Sequence, residues 1–410
     1  MKKELWLFTE HFPFGRSEAF LENELPILVR RFERVRVFPM FSAEGERSLP
    51  AGAERQLILD DPFAVAGITT LLRHAASVIR LLASLRSDLG IRMWSREWRG
   101  ELRSKIVRTI KRLDVMERNL MPDYDPVRVV MYSYWTDDWA TLLSLIKARD
   151  ARVRFFSRVH GFDLYEHRRG AIPFRRLQLS YVDALFCVSK AGFDHMLSKH
   201  PQFKSKYELF RLGTSDHGLA RASSDGVTRV VSCGNVNQLK RFWLIPEALA
   251  LAHIPVHWTH FGDGPEMQAV RERLVRLPAH VRVDLRGACS NADIMAWYAS
   301  NPVDVHVLPS SLEGGVAVAL QEAASFGVPL IATDSGGVQD LVNPNTGLLL
   351  PNEVSPKDLM AAIASVQSGP HGTPAFRAGV RAFWEAHFHA GIAYNSFCDR
   401  LLALHQKCDL

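Results

Sequence analysis

Cysteine is scarce in this chain, and long apolar runs are absent from it. No Cys-x-x-Cys pair occurs, and the five cysteines lie far apart in the sequence. A disulfide framework or a structural zinc site is therefore not expected, and a reducing compartment fits best. The sequence contains no stretch of about 18 uncharged apolar residues, so a membrane-spanning helix is not expected. The apolar stretch that follows Met1 is too short for a signal peptide, so we expect a cytoplasmic protein.

The composition is that of an ordinary globular protein. Among 410 residues, 47% are apolar and 23% are charged, which excludes a mostly disordered chain and a fibrous protein. The net charge is +6, and the segment from Leu71 to Leu120 alone carries twelve Lys/Arg against five Asp/Glu. We interpret this basic segment as a solvated helical face. Contact with nucleic acid, a membrane surface or an anionic substrate is the alternative.

Short apolar runs alternate with helical patterns along the chain, which predicts parallel, doubly wound sheets. The polar segment Thr214–Gly226 separates two such series. We therefore predict an α/β fold with two Rossmann-like domains that face each other across a cleft, over residues 1–218 and 219–375. A helical tail over 376–410 follows, and its packing on the first domain is left open. The predicted strands are Leu5–Thr9, Val35–Pro39, Val127–Met131, Arg154–Val159, Ala184–Val188, Val227–Cys233, Val256–Phe261, Val281–Arg286, Val303–Leu308, Pro329–Thr333 and Gly347–Leu350.

One predicted helix, over Ile68–Leu85, is both amphipathic and basic. Helical spacing places six apolar side chains on one face, with Arg73 and Arg80 elsewhere. We expect this face to pack against its own domain, and contact with a membrane is the alternative. The six side chains are Ile68, Leu71, Leu72, Ala75, Ile79 and Leu82.

The most informative stretch covers residues 310–337. After a predicted strand, Glu313-Gly314-Gly315 opens a helix. Glycines let the backbone approach a ligand closely, and free N–H groups at a helix start suit a phosphate. Glu322 lies about two turns further along, where its carboxylate can accept hydrogen bonds from the hydroxyls of a ribose. The alternative for Glu322 is an ordinary cap or salt link.

This pattern resembles the retaining glycosyltransferases of family 4 (group 1), which have the two-domain GT-B fold. Their signature places two glutamates around a glycine-rich turn, followed by Ala, Gly, Pro and a strand that ends in Ala-Thr. Eight residues separate Glu313 from Glu322, where the family has seven. We place the extra residue in the turn over 314–317, because inside the helix it would rotate the face by about 100°. The matching residues are Glu322-Ala323, Gly327, Pro329, Ala332-Thr333, Gly336-Gly337 and Thr346-Gly347-Leu348.

Further matches follow the first strands of the second domain. Lys240 stands where the family has a basic residue that contacts the donor diphosphate. Asn235 stands where many members have an arginine, and Arg241 is the candidate to replace that contact. Together, the resemblance implies that the donor-binding residues are Asn235, Lys240, Arg241, Gly262, Gly264, Gly314, Gly315, Val316 and Glu322, with Gly15 in the first domain.

Two segments of the first domain extend the resemblance. The loop over 12–20, which contains Gly15, is similar to the family's loop over the donor phosphate. The segment 158–165 resembles the one whose histidine points into the cleft near the donor sugar. His160 would then hydrogen-bond the sugar or polarise the acceptor hydroxyl, and a structural role is its alternative.

The resemblance implies transfer of a sugar from a nucleotide diphosphate sugar to a hydroxyl acceptor, with retained anomeric configuration. The expected catalytic residues are His160, Lys240 and Glu313, with no metal and no cofactor beyond the donor. The basic helix favours a lipid-linked or polysaccharide acceptor, with peripheral contact at the inner face of a membrane through residues 68–120. The alternatives are a nucleotide-sugar epimerase and a non-catalytic protein that binds nucleotide sugars or acts through its basic patch. No nucleic-acid partner is expected.

Overall fold

The structure is a computed structural model in which the chain forms two compact units. It describes residues 3–15, 18–89, 96–166 and 172–406, with residues 96–99 described by their backbone alone. Cys408 and the part of the predicted basic segment over 90–95 lie outside the described residues. The first unit comprises Met1–Val188, Gly192–Phe210 and Tyr394–Leu410, and the second comprises Ser189–Ala191 and Arg211–Ala393.

Each unit is built around one parallel sheet. The first sheet has the strand order β3-β2-β1-β4-β5-β6-β7, and the second has the order β10-β9-β8-β11-β12-β13. Helices connect the strands, as parallel pairing requires. The strands are β1 (Glu4–Thr9), β2 (Arg34–Pro39), β3 (Ala53–Arg55), β4 (Val129–Ser133), β5 (Phe155–Val159), β6 (Ala184–Cys187), β7 (Tyr207–Leu209), β8 (Thr228–Cys233), β9 (Val256–Phe261), β10 (Val281–Leu285), β11 (Val305–Leu308), β12 (Leu330–Thr333) and β13 (Gly347–Leu350).

The helices of the described part differ widely in length, and none of them is both long and apolar enough to cross a membrane. They are α1 (Leu21–Arg31), α2 (Ile68–Arg73), α3 (Ala75–Leu89), α4 (Arg96–Asn119), α5 (Asp138–Lys147), α6 (Gly161–Leu164), α7 (Arg175–Tyr181), α8 (Lys190–Lys199), α9 (Leu244–Leu249), α10 (Met267–Arg273), α11 (Asn291–Ser300), α12 (Val318–Ser325), α13 (Pro356–Ser368), α14 (Pro374–Phe388) and α15 (Ala390–Gln406).

The structure contains every predicted strand, with bounds that agree to within two residues. It also contains β3 and β7, which the sequence does not predict. Both are three residues long and lie at the edges of the first sheet. Edge strands are half-covered and carry charged side chains, so they lack the apolar run that marks a central strand.

The units divide after Phe210, and not after residue 218 as expected. The segment that follows Phe210 is held by the end of α14. The Thr214 N–H donates to the Phe388 carbonyl at 2.9 Å, and the Trp384 Nε1 donates to the Thr214 hydroxyl at 2.8 Å. The expected tail is also divided, because α14 belongs to the second unit and the chain from Tyr394 belongs to the first.

The expected helix over Ile68–Leu85 is two helices, α2 and α3, which are separated at His74. The prediction that its apolar face packs against its own domain is wrong, because Ile68, Leu72 and Ile79 are exposed. In α3 the opposite face is buried instead, with Leu81, Leu85 and Leu89 beside the hydrogen-bonded Ser77 and Ser84.

A buried ion pair lies in the core of the first unit. Arg158 of β5 donates from Nη1 to Glu24 Oε2 of α1 at 2.6 Å, and both side chains are at most 1% exposed. The guanidinium also lies over the Phe397 ring of α15, 4.3 Å from its centroid, and over the Tyr394 ring at 5.9 Å. Arg158 therefore joins a strand, α1 and α15 in one cluster.

Loss of the Arg158 side chain should strongly destabilise the first unit. Arg158→Ala leaves the Glu24 carboxylate buried without its partner, which should lower the free energy of unfolding by about 3–5 kcal/mol in urea titrations. The matched control is Arg34→Ala, which removes an exposed pair with Glu54 at 2.6 Å and should cost less than about 1 kcal/mol. Equal losses in the two variants would contradict the proposed role of the cluster.

Candidate functional site

In the second unit, the order of the strands reverses between β8 and β11, and the loops that follow these strands meet there. The Lys240 Nζ, after β8, lies 2.5 Å from Glu313 Oε1, after β11. Beside this ion pair, the Ser311 N–H donates to the Leu239 carbonyl at 2.7 Å and ties the two loops together. In parallel sheets, ligands bind outside the carboxyl ends of the strands at such a reversal. The pair therefore marks the candidate site of this unit.

Glycines allow the loops of this edge to approach one another closely. A Cβ on Gly262, after β9, would overlap the Gly234 carbonyl oxygen. Gly336, after β12, has a φ of +61°, and a Cβ there would overlap the Glu313 carbonyl oxygen. The loops after β8, β9, β11 and β12 can form one cluster because glycine, which has no Cβ, stands at these close contacts.

Glu322 of α12 is buried, with 8% of its surface exposed. Its Oε1 accepts a 2.6 Å hydrogen bond from the side chain of Asn291, the first residue of α11. Burial raises the pKa of Glu322 to about 7, although the Asn291 contact lowers it. The pKa of the Cys233 thiol is raised to about 12, mainly by burial and also by the Glu322 charge, while the Lys240 charge lowers it. The carboxylate and the ammonium therefore both lie near the carboxyl end of β8.

The chain bends over residues 314–316, and α12 begins at Val318. The Gly314 carbonyl accepts a 3.2 Å hydrogen bond from the Ser189 hydroxyl. Among the described residues, no side chain caps the start of α12 at Ala317. The first N–H groups of this helix thus come after the bend that follows Glu313, and N–H groups at a helix start can bind anions. That the residue lengthening the spacing between the two glutamates lies in this turn stays a prediction.

Four other predicted donor residues lie in the same loops. A Cβ on Gly264 would overlap the side chain of the exposed Asn235. Gly315 lies against Gly337, where a Cβ would come within 2.6 Å of the Gly315 carbonyl carbon. Val316 is buried. These contacts place the four residues at the carboxyl edge without assigning them a ligand.

The Arg241 side chain contacts backbone carbonyls of neighbouring loops, whereas the sequence suggested a phosphate contact for it. Its Nε donates to the Pro309 carbonyl at 2.8 Å, and its Nη2 donates to the Asn352 carbonyl at 2.7 Å. Its backbone adopts a positive φ of 48°. Arg241 therefore links loops of the site through its guanidinium, and the phosphate contact suggested for it stays a prediction.

In the first unit, the strand order reverses between β1 and β4. The buried Glu18 carboxylate accepts hydrogen bonds from the backbone N–H groups of residues 10–12. It also accepts one at 2.6 Å from the Trp135 Nε1, after β4. The Gly15 N–H donates to the Gly45 carbonyl at 2.8 Å. Glu18 therefore joins residues 10–12, ahead of Gly15, to Trp135.

His160 follows β5 in the same unit and is 6% exposed. Its ring lies 4.4 Å from the Trp135 ring and 4.8 Å from the Tyr134 ring, centroid to centroid. Neither ring nitrogen has a hydrogen-bond partner among the described residues. Burial, together with the Arg158 charge, lowers the pKa of His160 well below its usual value of 6.5. The imidazole is therefore neutral at pH 7, and it can donate one hydrogen bond from one ring nitrogen and accept one at the other.

The predicted site residues thus fall into two groups. Gly15 and His160 belong to the first unit, and the others are gathered at one edge of the second sheet. Sequence reasoning missed Asn291 and the role of Glu18. No sequence signal pairs Asn291 with Glu322, because 31 residues separate them and only the fold brings them together. An ammonium, two carboxylates and a helix start at one edge suit a ligand that carries both phosphates and hydroxyls.

Comparison with protein families gives one match. Residues 227–368 match the family model described as Glycosyl transferases group 1. The matched region contains all six strands of the second sheet and the site at its edge. No curated protein is found to match the chain.

Several solved structures share the fold of the whole chain. The Anabaena HepE structure with UDP is 15% identical, has a TM-score of 0.64, and is matched over 98% of this chain and 100% of that chain. The lipopolysaccharide outer core galactosyltransferase WaaB, in apo form, is 14% identical with a TM-score of 0.66, over 98% and 99%. Sucrose-phosphate synthase from Thermosynechococcus elongatus is 15% identical with a TM-score of 0.67, over 98% and 100%. The predicted α/β fold with two parallel sheets, of the GT-B glycosyltransferase type, is confirmed.

The contact between Gly336 and Glu313 gives a testable prediction. Gly336→Ala places a Cβ against the Glu313 carbonyl oxygen and should lower the free energy of unfolding by about 2–4 kcal/mol. Gly287→Ala is the matched control, because its φ of +66° is similar and its Cβ would meet nothing within 4 Å. Backbone strain alone should cost the control about 1 kcal/mol. Urea unfolding of both variants checks this, and equal losses would contradict the close approach.

Proposed function

We propose that this protein is a retaining, metal-independent glycosyltransferase of family 4 that transfers a sugar from a nucleotide diphosphate sugar to a hydroxyl acceptor. The single observation that carries the proposal is the Lys240–Glu313 pair at the strand reversal of a unit that matches Glycosyl transferases group 1. The UDP and UDP-glucose complexes of Anabaena HepE, which share the fold, support a donor of this class.

The chemistry of the second unit suits such a donor. The Lys240 ammonium and the N–H groups at the start of α12 can offset the charge of a diphosphate. Glu313 accepts hydrogen bonds from sugar hydroxyls while it holds Lys240 in place. Glu322 accepts hydrogen bonds from the ribose, and Asn291 fixes the orientation of its carboxylate.

In the transfer, the bond between the anomeric carbon and the diphosphate oxygen breaks as positive charge builds on the sugar ring. The acceptor oxygen bonds to the anomeric carbon on the face that the diphosphate leaves, which retains the configuration. The acceptor proton passes to an oxygen of the departing diphosphate, so no protein nucleophile is used. Lys240 and the helix start stabilise the leaving group, and a resident metal ion is not part of this scheme.

The acceptor proposed here is a lipid-linked glycan or a polysaccharide, handled by a cytoplasmic protein at the inner face of a membrane. The outer-core galactosyltransferase WaaB, which shares the fold, acts on lipopolysaccharide by its name and supports this class. His160 and Gly15 keep their predicted roles beside the donor sugar and phosphate as part of the proposal. The comparisons do not favour the epimerase or the non-catalytic binding protein.

Removal of the ammonium should abolish transfer. Lys240→Ala leaves the leaving group without its side-chain charge, so turnover should fall by about 100-fold or more. Lys357→Ala removes an exposed lysine of the same unit and serves as the control. Calorimetry with UDP-, GDP- and ADP-sugars identifies the donor, and product formation with that donor measures turnover. Wild-type turnover in Lys240→Ala would refute the assignment.

The pKa of Glu322 predicts how donor affinity depends on pH. The carboxyl with a pKa of about 7 is mostly protonated at pH 6 and mostly ionised at pH 8. Because the ionised form accepts the ribose hydrogen bonds more strongly, affinity for UDP-glucose should rise by about tenfold from pH 6 to pH 8. Glu322→Gln has the same shape without the charge, so it should bind weakly and show no such rise. Calorimetry across this range checks both, and a flat wild-type profile would contradict the role of Glu322.

A further inference from the structure

The surface of the first unit carries an apolar strip that is exposed. We define the apolar strip as Phe63, Val65, Ile68, Leu72, Ile79 and Leu82, whose exposed fractions are 62%, 59%, 71%, 69%, 66% and 43%. Fifteen large hydrophobic residues of the described part are exposed, and these six fall within 20 consecutive positions. Single exposed apolar side chains are ordinary, whereas a cluster of this size marks an interaction surface.

The strip follows helical geometry along α2 and α3. Ile68, Leu72, Ala75, Ile79 and Leu82 succeed one another at intervals of four, three, four and three residues. Such intervals keep side chains on one face of a helix. Ala75 is also exposed. The apolar face therefore points away from the core along both helices.

Buried leucines and a polar network on the opposite face hold the helices in this orientation. Leu81, Leu85 and Leu89 of α3 are buried there. His74 Nε2 lies 3.1 Å from Asp114 Oδ1 of α4, and Arg149 Nη2 lies 2.9 Å from His74 Nδ1. Arg149 also donates to the Ser77 hydroxyl at 3.1 Å, and the Ser84 hydroxyl accepts from a backbone N–H of α7 at 3.2 Å. A rotation that buried the strip would break these hydrogen bonds or expose them to water. Buried donors and acceptors that lose their partners are costly. The exposure of the strip is therefore built into the fold.

The charges beside the strip are positive. Helices α2 and α3 carry Arg73, Arg80 and Arg86 against a single carboxylate, Asp88. Arg73 is paired with the buried Asp114 of α4 at 2.9 Å, so Arg80 and Arg86 are the arginines available to a partner. Arg73 and Arg80 directly follow Leu72 and Ile79 of the strip, and Arg86 lies four residues beyond Leu82, on the same face. A second copy of the chain would bring these arginines against one another. A surface with negative headgroups and an apolar interior satisfies both the charges and the strip.

We propose that the apolar strip and its flanking arginines form a docking surface for a bilayer that contains anionic lipids. The apolar side chains enter the boundary between headgroups and acyl chains, while Arg80 and Arg86 contact lipid phosphates. The contact is peripheral, with α2 and α3 lying along the membrane plane. The inference rests on the proposed function only in that the membrane would present the lipid-linked acceptor.

Vesicle sedimentation of the full chain, without donor or acceptor, tests this surface. The wild type should sediment with vesicles of equal parts phosphatidylcholine and phosphatidylglycerol, and much less with pure phosphatidylcholine. The combined variant Ile68→Ser, Leu72→Ser and Ile79→Ser should lose affinity for the mixed vesicles by about tenfold or more. Val275→Ser is the matched control, because Val275 is 84% exposed in the second unit, and it should bind as the wild type does.

A charge variant and an association measurement complete the test. Arg80→Gln with Arg86→Gln should weaken binding to the mixed vesicles and reduce its sensitivity to salt. Unfolding midpoints close to that of the wild type confirm that the variants fold.

Unchanged vesicle binding in the serine variant overturns the proposal. Absence of wild-type binding to the mixed vesicles also overturns it, as does a dimer without lipid that the serine substitutions abolish. Donor affinity measured by calorimetry stays a separate readout, so failure of this surface and failure of the transferase assignment are distinguishable.

Discussion

The pairing of Lys240 with Glu313 depends on one feature of the chain path, the reversal of strand order between β8 and β11. Connections from β8 run toward β10 on one side, and those from β11 run toward β13 on the other. The loops that leave β8 and β11 therefore diverge, and the space between them is open to a ligand. The Lys240 ammonium and the Glu313 carboxylate form their ion pair there, although 73 positions separate the two residues in the sequence. The remaining features of the edge, the close glycines and the start of α12, all surround this pair.

The fold was predictable wherever an apolar run is complete. The bounds of β9 and β13 agree with those expected from the sequence, because each run is bordered by turn residues. Strands β3 and β7 were not predicted. An edge strand of three residues with a charged side chain at its centre or end shows no detectable apolar periodicity. The division after Phe210 escaped it as well. Polar composition suggests a linker at Thr214, but the hydrogen bonds from Thr214 to the end of α14 assign that segment to the second unit.

The candidate site was predictable through its motif and not through its contacts. Spacing alone places Glu313 and Glu322 before and within α12, and the structure has them there. The spacing does not identify the hydrogen-bond partners of the side chains at the site. Asn291 reaches Glu322 from another helix, and the Arg241 guanidinium is occupied by two backbone carbonyls. Both contacts join segments that only the completed sheet brings close, so a residue type and its neighbours in the sequence carry no information about them.

The orientation of α2 and α3 shows why an amphipathic pattern has no fixed direction. Apolar periodicity identifies a face, and burial of that face is the default because it removes apolar surface from water. Here His74 and Ser77 on the other face find partners in Asp114 and Arg149, beneath the helices. Leu81, Leu85 and Leu89 are buried on the same side of α3, so turning that side inward removes apolar surface from water as well as pairing its polar groups. The buried leucines and the paired polar groups together decide which side turns inward, and the other apolar face stays exposed.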